Sequence, residues 1–261
     1  IVYVIIKTPI YEAKALVEIG NYKSYQDGKA EQTIILDDAN ELSKKLSMIF
    51  IDLKKNDKNK EFEITKIATS KGMKNFIEIS SESTSNDLAT KGLNEIITYT
   101  QDIHSKLLTD VKEKNDLEIK NIDFLISNIQ NDKIVNIEKK IDLYNKNIIN
   151  LEEQMKSVTE TLKNMNTLDY SITALKLMEK RDISNEIIVN KSKLYDFIEQ
   201  KENITNIDLN KLLERKKLLE TLSLPHNFKN TEVVGNILTD DNPIKPKKAL
   251  IVVVAFVTGF I

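Results

Sequence analysis

Apolar residues along the chain change period several times, and each change predicts an element. After Thr8-Pro9, Tyr11, Ala13, Ala15 and Val17 alternate with Glu12, Lys14, Leu16 and Glu18. That is the period of a strand with one buried face, and Gly20-Asn21 ends it. From Asp37 to Leu53 the spacing becomes three and four: Leu42, Leu46, Ile49, Phe50 and Leu53 share a stripe behind Asp37 or Asp38 as the cap. An amphipathic helix is expected there. Phe62 and Ile64, with Lys66 in the same register, then fall on one face of Glu61–Ala68, and Phe76–Ile79 follows a turn at Lys71-Gly72. The pair reads as a β-hairpin. Ser85-Asn86-Asp87 supplies capping groups ahead of Leu88, Leu93, Ile96, Ile97 and Thr100, the start of another helix.

From about Thr100 to Met165 there is neither Gly nor Pro, and the pattern becomes regular. Ile119, Ile122, Ile126 and Ile129 step by three and four. After a one-residue offset, Ile134, Ile137, Ile141, Tyr144, Ile148, Leu151, Met155, Val158, Leu162 and Met165 continue the alternation. This is a heptad seam, with Lys, Glu, Asp and Asn between its positions. At 1.5 Å per residue such a helix reaches on the order of 90 Å, longer than a compact domain of this size is wide, so it is expected to project. The seam weakens at Asn164–Tyr170, a tip, and a second helical stretch returns through Ile172, Leu175, Ile183, Ile187, Leu194 and Phe197. Asn206-Ile207-Asp208 can cap a further helix carrying Leu209, Leu212, Leu213, Lys216, Leu219 and Leu222, stopped at Leu224-Pro225. Thr231–Leu238 reads as a last strand, closed by the turn residues 240–243.

The two ends are apolar. Ala249–Ile261 carries no charge, and Ile1–Ile6 runs straight into Lys7. Each is read as part of a truncated transmembrane helix, with a buried strand as the competing reading. The expected fold is therefore α+β. A mixed base near the membrane is formed by 7–100 with 205–242, and a long coiled-coil-like helical hairpin, 101–204, projects from it. Residues 1–6 end a first transmembrane helix, 243–248 form a Pro/Lys-rich entry, and 249–261 begin a second helix.

Composition narrows the function. With 41% hydrophobic and 30% charged residues the chain can bury a core. A net charge of -2 lacks the basic excess that binding to a phosphate backbone needs, so nucleic acid is not an expected partner. The absence of cysteine excludes disulfides and thiolate chemistry. His104 and His226 stand far apart, each without a nearby second ligand, and read as helix-packing or surface residues. The acid pairs Asp37-Asp38 and Asp240-Asp241 stand where caps and turns belong. No set of glycines forms a nucleotide loop, and a rod offers no cleft for a glycosidase carboxylate pair. No enzyme active site, metal site or cofactor is expected.

Two segments resemble a known family. Thr8-Pro9-Ile10-Tyr11-Glu12-Ala13 and onward to Gly20, directly after an apolar end, is similar to the stretch that follows the first membrane helix of Wzz-type polysaccharide co-polymerases. Pro243-Ile244-Lys245-Pro246-Lys247-Lys248, directly before the second apolar end, resembles their proline-rich entry to the second helix. The residues that carry the likeness are Pro9, Tyr11, Ala13, Pro243, Pro246, Lys247 and Lys248. Physically, Pro243 and Pro246 push Asn242 and Lys245 away from helical angles, which makes a short, stiff tether. The resemblance implies a chain-length determinant for O-antigen-like surface polysaccharide. Such a protein sits in the bacterial inner membrane with this part in the periplasm, forms a homo-oligomeric ring, and works with a membrane glycan polymerase on lipid-linked polysaccharide without making a bond itself. One feature departs from it: by the positive-inside tendency Lys245, Lys247 and Lys248 favour the cytoplasm, whereas the family places them in the periplasm, where they can meet lipid phosphates. A periplasmic adaptor of an efflux or secretion system is the competing class, although it calls for more Gly and more strands. A sensory ectodomain is another.

Overall fold

A computed structural model describes residues 8–25, 31–55, 60–165 and 170–247. The chain divides into two compact units, Ile1–Asn115 with Leu222–Ile261, and Asp116–Thr221.

The first unit is built on antiparallel sheet. β1 (Tyr11–Glu18), β4 (Phe62–Thr69), β5 (Phe76–Ser83), β7 (Glu232–Val233) and β8 (Leu238–Thr239) form one sheet in the order β4-β5-β1-β7, with β8 also on β1. β2 (Asn21–Ser24), β3 (Gln32–Ile35) and β6 (Phe228–Lys229) form a second in the order β3-β2-β6. The alternation in β1 sends Ala13, Ala15 and Val17 inward, followed by Ile19, and all four are buried. The hairpin forms as its pattern predicts, turning at Gly72 with φ +82, a left-handed value that glycine adopts without strain.

Three details depart from the pattern. A bulge between Ile64 and Lys66 shifts the register, so Ile67 rather than Lys66 turns inward, while Lys66 bonds Glu78 outside at 2.6 Å. β5 continues to Ser83 and pairs with β1 along its whole length, from Tyr11 opposite Ser83 to Glu18 opposite Phe76. Its extension buries Ser80, Ser81 and Ser83, hydroxyl residues that no apolar periodicity flags. The last strand is two short pieces, β7 and β8, on either side of Gly235 at φ +74, and both pair with β1.

Helices cover this sheet. In α1 (Ala39–Ser47) Asp38 is the cap, accepting from the backbone N–H of Asn40 and Glu41 at 2.9 and 3.1 Å, while Asp37 pairs with Lys45. Leu42, Leu46 and Phe50 are buried as expected. Leu53 is instead 75% exposed, because a π turn at Met48–Asp52 inserts a residue and rotates it off the stripe. The long helix α2 (Asn86–Asn128) opens with Ser85 Oγ accepting from the Leu88 N–H at 3.3 Å. Ala89, Leu93, Ile96, Ile97 and Thr100 are buried, and Leu88 sits only half-buried beside them. At roughly 1.5–3 kcal/mol for each buried large aliphatic side chain, this stripe is the main attachment of α2 to the core.

The second unit is an antiparallel helical hairpin. Its outbound arm is the end of α2, a π turn at Ile129–Ile134, and α3 (Val135–Asn164). Its return arm is α4 (Tyr170–Asn203), a π turn at Ile204–Leu209, and α5 (Asn210–Leu222). Ile122, Ile126, Ile129, Ile137, Ile148 and Val158 of the predicted seam are buried, and the residues between them on the seam are half-buried. The one-residue offset in the heptad falls on the outbound π turn. Across the hairpin the Tyr144 and Phe197 rings lie 5.6 Å apart, and Lys191–Glu152 and Lys201–Glu138 pair at 2.9 and 2.7 Å.

The return arm corrects two expectations. Ile172 and Leu175 are 46% and 65% exposed, and the half-buried positions there are Thr173, Lys176 and Lys180. No helix begins at a cap of Asn206 or Asp208, since Asn203 and Asn210 on either side of the π turn both keep right-handed helical angles. Among the described residues no helix is long and apolar enough to cross a membrane. The apolar runs Ile1–Ile6 and Ala249–Ile261, Lys248, and the middle of the tip at 166–169 lie outside the described residues.

Candidate functional site: the paired signature segments

The two stretches singled out in the sequence meet. Ile10 and Lys245 form an antiparallel bridge: the Ile10 N–H donates to the Lys245 carbonyl at 3.0 Å, and the Ile244 N–H donates to the Ile10 carbonyl at 2.7 Å. Pro9, Pro243 and Pro246 flank this bridge and have no N–H of their own, so the pairing stays short. The Lys245-Pro246 peptide is cis. Pro9 and Lys247 are exposed, Tyr11, Pro243 and Pro246 half-buried, and Ala13 fully buried in the core. The two segments therefore meet at the start of β1.

Residues outside the two signature segments complete the junction. Lys245 Nζ reaches Glu82 Oε2 on β5 at 2.5 Å, and Glu82 stands opposite Glu12 in the β1 ladder. An exposed pair of this kind adds under about 1 kcal/mol. Its effect is to fix position. Asn86 Nδ2 donates to the Asp240 carbonyl at 3.0 Å, which ties the turn before Pro243 to the start of α2. Asp240 Oδ1 accepts from the Asn242 N–H at 2.9 Å, the turn role expected of that acid pair. Nothing in the apolar pattern marks Glu82 or Asn86, because each is a polar residue at the end of a strand or helix.

The two histidines part company. His226 is exposed. His104 is 1% exposed on α2, bonded through Nδ1 to the Thr231 hydroxyl, and burial holds its imidazole below the ordinary range.

In this form the chain is similar to a set of solved structures. They are bacterial polysaccharide co-polymerases and chain-length regulators. A full-length bacterial polysaccharide co-polymerase aligns over 98% of this chain and 84% of its own, at 15% identity and a TM-score of 0.44. The Shigella flexneri lipopolysaccharide O-antigen chain-length regulator WzzBSF aligns over 89% of this chain and 100% of its own, at 15% identity and a TM-score of 0.32. A point mutant of that regulator aligns over 91% and 100%, at 14% identity and a TM-score of 0.33. No protein-family model and no curated protein matches the sequence.

Proposed function

We propose that this chain is the periplasmic part of a non-catalytic regulator of surface polysaccharide length, an inner-membrane co-polymerase. It acts as a homo-oligomeric ring beside a membrane glycan polymerase and lipid-linked polysaccharide. The observation that carries this reading is the Ile10–Lys245 bridge. It bonds together the two segments that resemble the family's flanks of the membrane helices, although the rest of the chain lies between them in sequence. A protein held in a bilayer by two flanking helices needs its ends side by side in this way, with the unit that carries both segments next to the lipid. Lys247 and Lys248 then stand at the lipid headgroups, with the apolar ends 1–6 and 249–261 inside the bilayer. The role is positional. It brings together polymerase and growing glycan without a nucleophile or base of its own.

The test is genetic. Deleting the gene should broaden the length distribution of the surface glycan on a gel while polymerisation continues. Restoring the chain with Ile10→Pro, which removes one bridge donor, should recover length control only in part. An unchanged ladder in the deletion strain refutes the reading.

A further inference from the structure

His104 and Thr231 are each only 1% exposed, and their polar atoms answer one another. Thr231 Oγ1 accepts from the Gly20 N–H at 2.9 Å, which leaves the hydroxyl hydrogen to be given away. The acceptor in reach is His104 Nδ1. With the hydroxyl donating, Nδ1 is unprotonated and the imidazole is neutral, its proton on Nε2. Around it, Gln101 Nε2 donates to the Thr231 carbonyl at 3.0 Å, and Asn230 Nδ2 donates to the Gln101 carbonyl at 3.2 Å. The Asn230–Thr231 junction is thus fastened to α2 and to the end of β1.

The strands that flank the junction are short. It lies between β6 and β7, strands of two residues each, whose ladders amount to Asn21–Tyr22 with Phe228–Lys229 and Val17–Glu18 with Glu232–Val233. Gly20 lets the backbones close: a Cβ there would stand 2.5 Å from the Lys229 carbonyl oxygen and 2.8 Å from the Asn230 carbonyl carbon.

A proton on Nδ1 reverses the logic. The ring nitrogen becomes a donor, so the Thr231 oxygen must accept from both it and the Gly20 N–H while its own hydrogen loses the His104 acceptor, and the added charge is buried. Neighbouring charges do not rescue it. Asp37 favours the charged ring and Lys45 opposes it, and those two are paired with each other at 3.2 Å. On the adjoining strands Lys229 is bonded to Glu18 and Glu232 at 2.6 and 3.1 Å. Burial therefore dominates and keeps the imidazole below its usual range.

We propose that His104 and Thr231 form an acid-released clasp: uptake of one proton by His104 frees the Asn230–Thr231 junction from Gly20 and α2 while the rest of the first unit stays folded. The sign follows from linkage. The opened ring binds protons more tightly than the closed one, so the clasp is at full strength above the opened ring's pKa, about 6.5, and weakens as pH falls through that value towards the lower, closed-state value.

Hydrogen exchange, corrected for the intrinsic pH dependence of amide exchange, tests this at about pH 7.5 and about pH 5.5, on either side of the free imidazole's pKa. Segments 18–23 and 228–233 should open more at the lower pH, by up to about tenfold per pH unit for one linked proton. The β4–β5 hairpin and α1 should not change. His104→Asn places a non-titrating oxygen acceptor where Nδ1 stands and should flatten the response. Equal protection at both pH values, opening of the whole unit in parallel, or an unchanged response in the variant would each overturn the clasp. Should the variant fail to fold, imidazole nitrogen resonances of the wild type decide. An Nε2–H neutral ring at the higher pH, charging as the segment opens, supports the clasp. A charged ring at the higher pH, or opening without ring titration, refutes it.

Discussion

Gly92 is where helix propensity and packing disagree most plainly. In mid-helix, alanine is favoured over glycine by about 1 kcal/mol. A Cβ at this position, however, would stand 2.6 Å from the Phe62 ring and 2.6 Å from Ser81 Oγ. Neither neighbour is the loose end of a long side chain: Phe62 packs against the core, and Ser81 is fully buried in β5. The glycine lets α2 lie close on the sheet, where Ser81 of β5 is small enough to meet it. Overpacking of this kind costs about 1–3 kcal/mol, which exceeds the propensity gain. Gly92→Ala should lower the urea midpoint with an unchanged slope; a midpoint equal to or above wild type would show that the helix can ride outward without loss.

The hairpin arms show how much of an element a periodicity contains. Seam positions Ile119 to Ile129 and Ile134 to Leu162 are legible as one stripe, and so is the slip between them, because five residues separate Ile129 from Ile134 where three or four are due. What the pattern leaves open is how the chain absorbs the slip. Five residues of α-helix would carry Ile134 roughly 140° off the seam. A π turn, bonding i to i+5, fits the extra residue into one wider turn and keeps the stripe continuous. The return arm does the same between Ile204 and Leu209, and there the reading from sequence mistook the slip for a new helix. The polar residues Asn206 and Asp208 look like caps, yet Asn210 Nδ2 bonds the Asn206 carbonyl at 3.0 Å while the Asn210 N–H turns to Ile207. The two π turns lie against each other around Ile129 and Leu209, in a cluster with Ile122, Ile126, Ile134 and Ile204. Ile172 and Leu175 misled for another reason: in the first turns of α4 the half-buried positions are Thr173, Lys176 and Lys180, while these two apolar residues are exposed. Removing one exposed residue from the outbound turn, Asp132, should convert it to α-helix with the seam still in phase, leaving helicity and melting temperature at or above wild type. Removing exposed Lys146 in α3 rotates everything beyond it by about 100° and should melt the hairpin. Equal effects of the two deletions, measured by circular dichroism, would rule out the phase argument.

For the molecule as a whole, the division at Asn115 and Leu222 has an energetic meaning. The larger core, from Ala13 through Ile97, draws every buried member from the first unit, whereas Ile122, Ile126, Ile129 and Leu209 form a separate cluster in the second. At the boundary, Asn115 Nδ2 reaches Ser223 Oγ at 3.4 Å, so the chain leaves the first unit and rejoins it at neighbouring points. An insertion whose ends lie together can be removed without straining its host. Replacing 116–221 by a short Gly/Ser linker should therefore leave the first unit folded, with its own cooperative melt and the exchange protection of β1, β5 and the start of α2 intact. Under the proposed function such a protein would still carry both signature segments and lose control of glycan length. Loss of cooperative melting in the shortened protein would mean instead that the sheet depends on the hairpin for its stability, and that the two clusters are one folding unit despite their separate contacts.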